Sequence, residues 1–383
     1  MDFTESDEQR LLRTTVAKIA GSYGHAWFVD QARTGGKAQA LWDELSAAGF
    51  TGVNVPEPYG GGQGLLELAM VAEETAAQGI PLLIFLVSPA ICGEILARHG
   101  TAEQQAQWLP GIGSGTEKMA FAITEPDAGS NSHKVSTWAR RDGEGWRLSG
   151  TKYYISGVDE AANLLVVTRT GTDERTGRGE LTLFIVPTDA PGLTWTPISV
   201  ELVATEQQFT VTFDEVAVSD ANRIGPVGSG LRPLFTGLNP ERILSAAVLN
   251  GIARYCLDKA SAYATTREVW GVPIGSHQGI AHPLAEAAIG VELARLMTLK
   301  AAWSFDQGLD AAASSNLAKL AAADAALVAV DRAIQTHGGN GMSTDYGLVT
   351  MWGMARLLKV APVSREMVLN WVATHELGLP RSY

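Results

Sequence analysis

The stretch Leu238-Asn-Pro-Glu-Arg-Ile-Leu-Ser sets a glutamate, Glu241, and an arginine, Arg242, directly behind a proline. Apolar residues then recur every four positions at Leu244, Val248, Ile252 and Cys256. A carboxylate in that place has two uses. In the first turn of a helix opened by Pro240, it complements the positive end of the helix dipole. Held in a dry slot, its proton affinity rises toward working pH, which suits a general acid or base. The local residues leave both uses open. A second stretch, Phe121-AITEPDAG-Ser130, offers hydroxyls at Thr124 and Ser130 and a glycine at 129 that lets backbone approach a ligand. It serves equally well as an ordinary turn between domains. Other chemistry is missing. There is no phosphate-binding P-loop, no G-x-G-x-x-G behind a strand, no G-x-S-x-G and no zinc spacing, and no metal site is expected. Cys92 and Cys256 stand far apart, as free thiols in a reducing compartment do.

Elements must position these groups, and composition bounds what they are. The chain has 383 residues, 46% hydrophobic and 18% charged, which is globular composition at a size that allows two or three domains. A net charge of −12 argues against nucleic acid as the main partner. The N-terminus shows neither a secretory nor a transit pattern, and the apolar run Gly79-IPLLIFLV-Ser88 is too short to span a bilayer. A cytoplasmic protein without membrane contact is expected.

The hydrophobic period changes twice. Residues 1–118 read as helical. Ser6 stands as an N-cap ahead of Leu11, Leu12, Val16 and Ile19, a Gly/Pro-rich loop interrupts at Asn54-VPEPYGGGQG-Leu65, and an apolar helix is expected from about 82 to 99. Residues 119–230 read as strands. Phe209, Val211 and Phe213 alternate with threonines, Leu164-LVVT and Leu181-TLFIV are short apolar runs, and Arg141-DGEG-Trp146 is a hairpin signal. Residues 231–383 return to helix, with Leu320, Ala323, Leu327, Val330 and Ile334 as a packing seam that stops at Gly338-Gly339. The expected fold is α+β: an N-terminal helical domain, a middle antiparallel β-domain and a C-terminal four-helix bundle.

Phe121-AITEPDAG-Ser130 resembles the T-E-P-x-A-G-S signature of the acyl-CoA dehydrogenase family, and further motifs follow in the family's order. Val55-PEPYGGGQG resembles its P-E-x-Y-G-G-x-G loop, and Gly100-TAEQQAQWLPGIGSG its G-T-x-x-Q-x-x-x-x-L-P segment. Lys152-YYISG resembles its K-x-W-I-[TS]-N strand, Arg267-EVWG its R-x-x-F-G, and Gln335-THGGNGM its Q-x-x-G-G-x-G-[YF]. The family's domain order is the one read above from periodicity.

The resemblance implies noncovalent FAD, usually in a homotetramer, and α,β-dehydrogenation of an acyl thioester with electrons passed to an electron-transfer flavoprotein. Phe121, Ile123 and Thr124 match flavin contacts, and Ser130 matches the phosphate region and the substrate side. Tyr154 replaces the tryptophan usual against the flavin face, and Ser156 matches a donor near N5. Arg267 matches the pyrophosphate arginine, and Trp270 stands where phenylalanine is usual. Gln278, Gln335 and Gly339 match contacts to the adenosine half of a neighbouring subunit's FAD.

Many members take the catalytic base from a glutamate in a C-terminal Y-E-G-T-S segment. Here, Lys359-VAPVSRE-Met367 puts Pro362 at that position, Ser364 at the threonine and Glu366 at a flavin-side contact. A one-residue slip puts Ala361 there, and upstream anchoring puts Arg365 there. None of the three takes up a proton. A subset that includes isovaleryl-CoA dehydrogenase carries the base in an L-x-x-E-R segment, which Leu238-NPERI matches. The resemblance thus implies Glu241 as base with Arg242 on the substrate side. Pro362 also lacks the N–H that in the family helps hold the thioester oxygen, and Asn131 replaces a frequent aspartate. A flavin oxidase or monooxygenase on the same fold, a dehydrogenase of carrier-protein thioesters and a non-catalytic, nucleic-acid-protective flavoprotein are the competing classes. Acidic charge weighs against the last. Leu82–Val87 is either the far end of the acyl pocket or plain core, and the acyl group, of a fatty or branched-chain kind, is not read.

Overall fold

A computed structural model describes residues 4–381, apart from the side chain of residue 133. Helices come first: α1 (Asp7–Thr34), α2 (Gln39–Ala47), α3 (Leu65–Ala77), a π-helical segment (Leu86–Gly93) running into α4 (Glu94–His99), and α5 (Ala102–Ser114). The Ser6 hydroxyl accepts the Gln9 amide at 3.1 Å while the Gln9 side chain accepts the Ser6 amide at 3.0 Å, a reciprocal cap that starts α1.

Eight strands follow in one sheet: β1 (Met119–Ala122), β2 (Trp138–Asp142), β3 (Gly145–Ser156), β4 (Asn163–Thr172), β5 (Gly179–Pro187), β6 (Leu193–Pro197), β7 (Gln208–Ser219) and β8 (Arg223–Ile224). Their order is β6-β7-β3-β2-β4-β5-β8, with β1 beside β4. The pairings are antiparallel except that β1 and β2 run parallel to β4. Strands β4 and β5 are apolar on both faces for a reason. Leu165, Val167, Leu183 and Ile185 pack against Ile91, Ile95 and Leu109 of the helices, while Leu164, Val166, Phe184 and Val186 pack against Phe209, Val211 and Phe213. A sheet covered on both sides reads as a continuous apolar run, whereas β7 alternates because one face meets water.

The C-terminal helices are α6 (Leu231–Thr266), α7 (Gln278–Asp306), α8 (Ala312–His337), α9 (Val349–Val360) and α10 (Arg365–His375), with a short hairpin, β9 (Glu268–Val269) and β10 (Val272–Pro273), between α6 and α7. The tight face of α8 is made of alanines: Ala318, Ala322, Ala326, Ala329 and Ala333 are fully buried. Of the expected seam, Ala323 and Val330 are fully buried with them, while Leu327 and Ile334 lie at the margin, only partly buried. Small residues let α6, α7 and α9 approach the same helix.

Candidate active site

The sheet presents one group of residues through a buried ion pair. Chain leaving β1 carries Ile123, Thr124 and Glu125. Lys152 on β3, wholly buried, donates to the Ile123 carbonyl at 3.0 Å and to Glu125 Oε1 at 2.9 Å. The Glu125 carboxylate also accepts the Ser136 amide at 2.6 Å and the Thr137 amide at 2.9 Å. Burial alone would raise its proton affinity, but the Lys152 ammonium and these donors bring it down to about 2. Burial pulls Lys152 to about 8 against the opposing pull of Glu125. Both partners therefore stay charged at neutral pH. The pair fixes the turn bearing Thr124, whose carbonyl accepts the Tyr153 amide at 2.8 Å. The motifs contain Lys152 and Glu125, but their pairing becomes visible only once β3 is laid beside the end of β1.

Tyr154 sits in the register shift between Lys152 and Ile155 at φ 56, a conformation uncommon for a bulky residue, and is 51% exposed. A bulge that turns a large aromatic ring outward is suited to presenting it to a flat ligand. Two residues on, the Ser156 hydroxyl donates to Gln208 Oε1 at 3.0 Å. Phe121 is buried on β1, while Ser130 and Asn131 lie on the exposed turn that follows.

Glu241 lies elsewhere than a helix end. Helix α6 begins at Leu231, so Pro240 is inside it and Glu241 is in its third turn. The macrodipole acts within the first turn, which removes the helix-end use of this carboxylate. This part of α6 packs against the π-helical segment and α4. A Cβ on Gly237 would come within 2.7 Å of Ile95, so any larger residue here would make Ile95 and Ile91 give way. Cys92, buried there, has its thiol pushed well up by burial and by the Glu241 charge.

No hydrogen bond or ion pair engages the Glu241 carboxylate among the described residues. Burial raises it to about 7, against the pull of Arg242 and Lys319. Burial raises Glu94 and Glu206 too, but their oxygens are occupied. Glu94 accepts from Asn54 and Arg98, and Glu206 accepts the Ile84 amide and the Thr205 hydroxyl. Arg242 donates to Asn239 Oδ1 at 2.9 Å and keeps a buried Nε without a partner.

The turn between α9 and α10 holds Pro362, Ser364 and Glu366. The Ser364 hydroxyl oxygen accepts the Met367 amide at 3.3 Å and caps α10, leaving its O–H free to donate, and Glu366 points to solvent. The backbone N–H groups of Val363 and Ser364 meet no acceptor among the described residues.

A separate cleft of about 650 Å³ gathers Arg267, Trp270, His277, Gln335, Gly338 and Gly339. Gln278 opens α7 beside it, exposed, without lining it. Arg267 has no ion pair among the described residues. His277 Nε2 is buried without a partner, and nothing lies within 4 Å of where a Cβ would stand on Gly338 or Gly339. An unpaired guanidinium, an orphaned ring nitrogen and accessible glycine backbone fit an anionic, hydrogen-bonding group. None of Phe121, Thr124, Tyr154 or Ser156 lines this cleft. Leu82 to Leu86 are buried in the main helical core, with Val87 at its edge.

Family models of the acyl-CoA dehydrogenase N-terminal, middle and C-terminal domains match residues 6–116, 120–216 and 228–376. The acyl-CoA dehydrogenase FadE12 of Mycobacterium tuberculosis is 52% identical over 384 residues, covering 100% of this chain and 99% of the relative. The solved complex of glutaryl-coenzyme A dehydrogenase with glutaryl-CoA superposes with a TM-score of 0.93 at 28% identity, covering 100% of this chain and 98% of that one. Butyryl-CoA dehydrogenase from Megasphaera elsdenii superposes with a TM-score of 0.92 at 27% identity, covering 98% and 100%.

Proposed function

The chain belongs to the acyl-CoA dehydrogenase family, and from that premise we propose that Glu241 is the base with which it removes the α-proton of an acyl-CoA thioester. It is an FAD-dependent oxidoreductase acting on a CH–CH bond. The observation that carries the role of Glu241 is its half-buried carboxylate, free of any partner among the described residues and raised to about 7, in a chain whose Pro362 has nothing to accept a proton. A base at that value is half ionised at neutral pH, so it both takes up the α-proton and releases it afterwards.

When bound, FAD accepts the β-hydrogen and the electrons. Around it, Tyr154 stacks on the ring face and Thr124 donates to the pyrimidine edge, held there by the Lys152–Glu125 pair. Phe121 and Ile123 line the same side, Ser156 donates once its hydroxyl turns from Gln208, and Ser130 lies toward phosphate and substrate. Ser364 and Glu366 complete the contacts from the C-terminal turn. Negative charge develops on the thioester oxygen and needs donors. The free N–H groups of Val363 and Ser364 replace the one that Pro362 lacks, and Arg242 adds positive charge.

The cleft around Arg267, Trp270, Gln278, Gln335 and Gly339 completes the FAD site of a neighbouring copy. Trp270 is 88% exposed, and Ile289, Leu293 and Trp303 form an exposed apolar stripe along α7, which suits a homotetramer. An electron-transfer flavoprotein takes the electrons onward. No helix among the described residues is long and apolar enough to cross a membrane, and the site is proposed to work in the cytoplasm.

Anaerobic mixing of the flavoprotein with a panel of acyl-CoAs of varied length and branching tests this function. Bleaching by at least one is expected. No bleaching by any, or rapid peroxide release in air, would point to a carrier-protein thioester or to an oxidase instead.

A further inference from the structure

Lys319 on α8 is almost fully buried, yet among the described residues no carboxylate holds it. Its Nζ donates to the Lys359 carbonyl at 3.0 Å and to the Val363 carbonyl. Lys359 lies in the last turn of α9, where carbonyls lack helical partners and must find others. Val363 lies across the turn that follows. One ammonium therefore ties both ends of the Lys359–Val363 turn to α8. Asp324, further along α8, grips the same turn from outside, pairing with Lys359 Nζ at 2.6 Å and with Arg365 Nε at 3.7 Å.

Burying an ammonium against neutral carbonyls leaves its charge uncompensated, which is expensive unless something near it benefits. The charged and titratable groups in its electrostatic reach are Glu241 and Arg242 on α6, Asp324 on α8 and Lys359 on α9, with Arg365 on α10 behind Asp324. Asp324 is already paired, which leaves Glu241, among the described residues that act on Lys319 most strongly, as an unpaired carboxylate for it to influence. The Val363–Ser364 peptide adds a geometric consequence. A trans peptide points its C=O and N–H in opposite directions. Clasping the Val363 carbonyl thus aims the Ser364 N–H away from Lys319 and fixes its direction.

We propose that Lys319 is a positioning residue, which locks the Lys359–Ser364 turn onto α8 and sets its positive charge where α8 meets the part of α6 that carries Glu241, the two helices being joined one turn earlier by the Ser315 hydroxyl and Asn239 Oδ1 at 3.3 Å. The proposal rests on Glu241 being the base. It sets two separable duties on one side chain: holding a turn and setting a field.

The test uses holoenzyme carrying Lys319→Met or Lys319→Arg. In hydrogen exchange, Lys319→Met is expected to speed exchange at the Val363 and Ser364 amides severalfold, with the rest of α8 unchanged. That readout needs no substrate and stands even if the acyl-CoA reading fails. In anaerobic flavin bleaching, Lys319→Met is expected to move the pH midpoint up by about one unit, the effect of losing one nearby opposite charge. The rate at pH 7 then falls about fivefold while the high-pH plateau survives. Lys319→Arg keeps the charge and is expected to restore the midpoint, whether or not it restores the exchange. A merely structural lysine would lower the plateau and leave the midpoint in place. An unmoved midpoint together with unchanged exchange in Lys319→Met would overturn the proposal.

Discussion

Replacing Glu241 with glutamine removes a charge that the fold holds at a disadvantage, so the variant should be the more stable protein above neutral pH. Burial lifts the carboxyl from its ordinary 4.5 to about 7. A group raised in the folded state contributes its stability below the unfolded value and loses it as pH rises through the folded one. For Glu241 the loss begins near pH 4.5 and is complete just above 7. The gap corresponds to about 3 kcal/mol at most, and partial access of the site to water trims this to about 2 kcal/mol. Glutamine is neutral throughout and of nearly the same size. The stability difference, Glu241→Gln variant minus wild type, should therefore grow by about 2 kcal/mol between about pH 4.5 and about pH 8 and then level off. Paired thermal melts at saturating FAD across that range measure it, as a Tm gap that widens by a few degrees. A gap that stays flat with pH, or wild type being the more stable at the alkaline end, would refute the burial argument. It would mean that the carboxylate sits solvated at its ordinary value.

Three further expectations follow from the packing. Lys152→Met leaves Glu125 buried without its counter-ion and should cost about 3–5 kcal/mol, visible as a lowered Tm, with Glu125→Gln in the same chain recovering part of it. Arg267→Gln should weaken FAD retention about tenfold and flatten its salt dependence, read by titrating FAD fluorescence. Gly237→Val pushes side-chain atoms into Ile95 and Ile91 and should destabilise by about 1–3 kcal/mol, checked by denaturant midpoint.

Periodicity exposes the order of helices and strands because each element packs one side against a neighbour, as Phe209, Val211 and Phe213 do on β7. It misplaces the start of α6. Pro240 looks like an opening residue, since a proline inside a helix gives up a hydrogen bond, but packing against the π-helical segment carries the helix through it. Periodicity places Ala323 and Val330 of the α8 seam correctly, both fully buried, but its larger members Leu320, Leu327 and Ile334 lie at the margin, because Ala318, Ala322, Ala326, Ala329 and Ala333 let the neighbouring helices come close. The Lys152–Glu125 pair and the Lys319 clasp each join residues far apart in sequence, and the isolation of the Glu241 carboxylate depends on distant elements packed around it. No local pattern announces them. Glu241 itself is legible only against the motifs around it and the unsuitable Pro362.

The most direct measurement is the single-turnover rate of flavin bleaching in Glu241→Gln, under anaerobic conditions with an acyl-CoA that bleaches wild type. A general base contributes roughly 10²–10⁴-fold. The account predicts a variant that retains FAD, binds the acyl-CoA and bleaches at least about a hundredfold more slowly at every pH, while the wild-type rate rises with a midpoint near 7. A variant that bleaches at the normal rate would contradict it, and the base would have to be sought elsewhere.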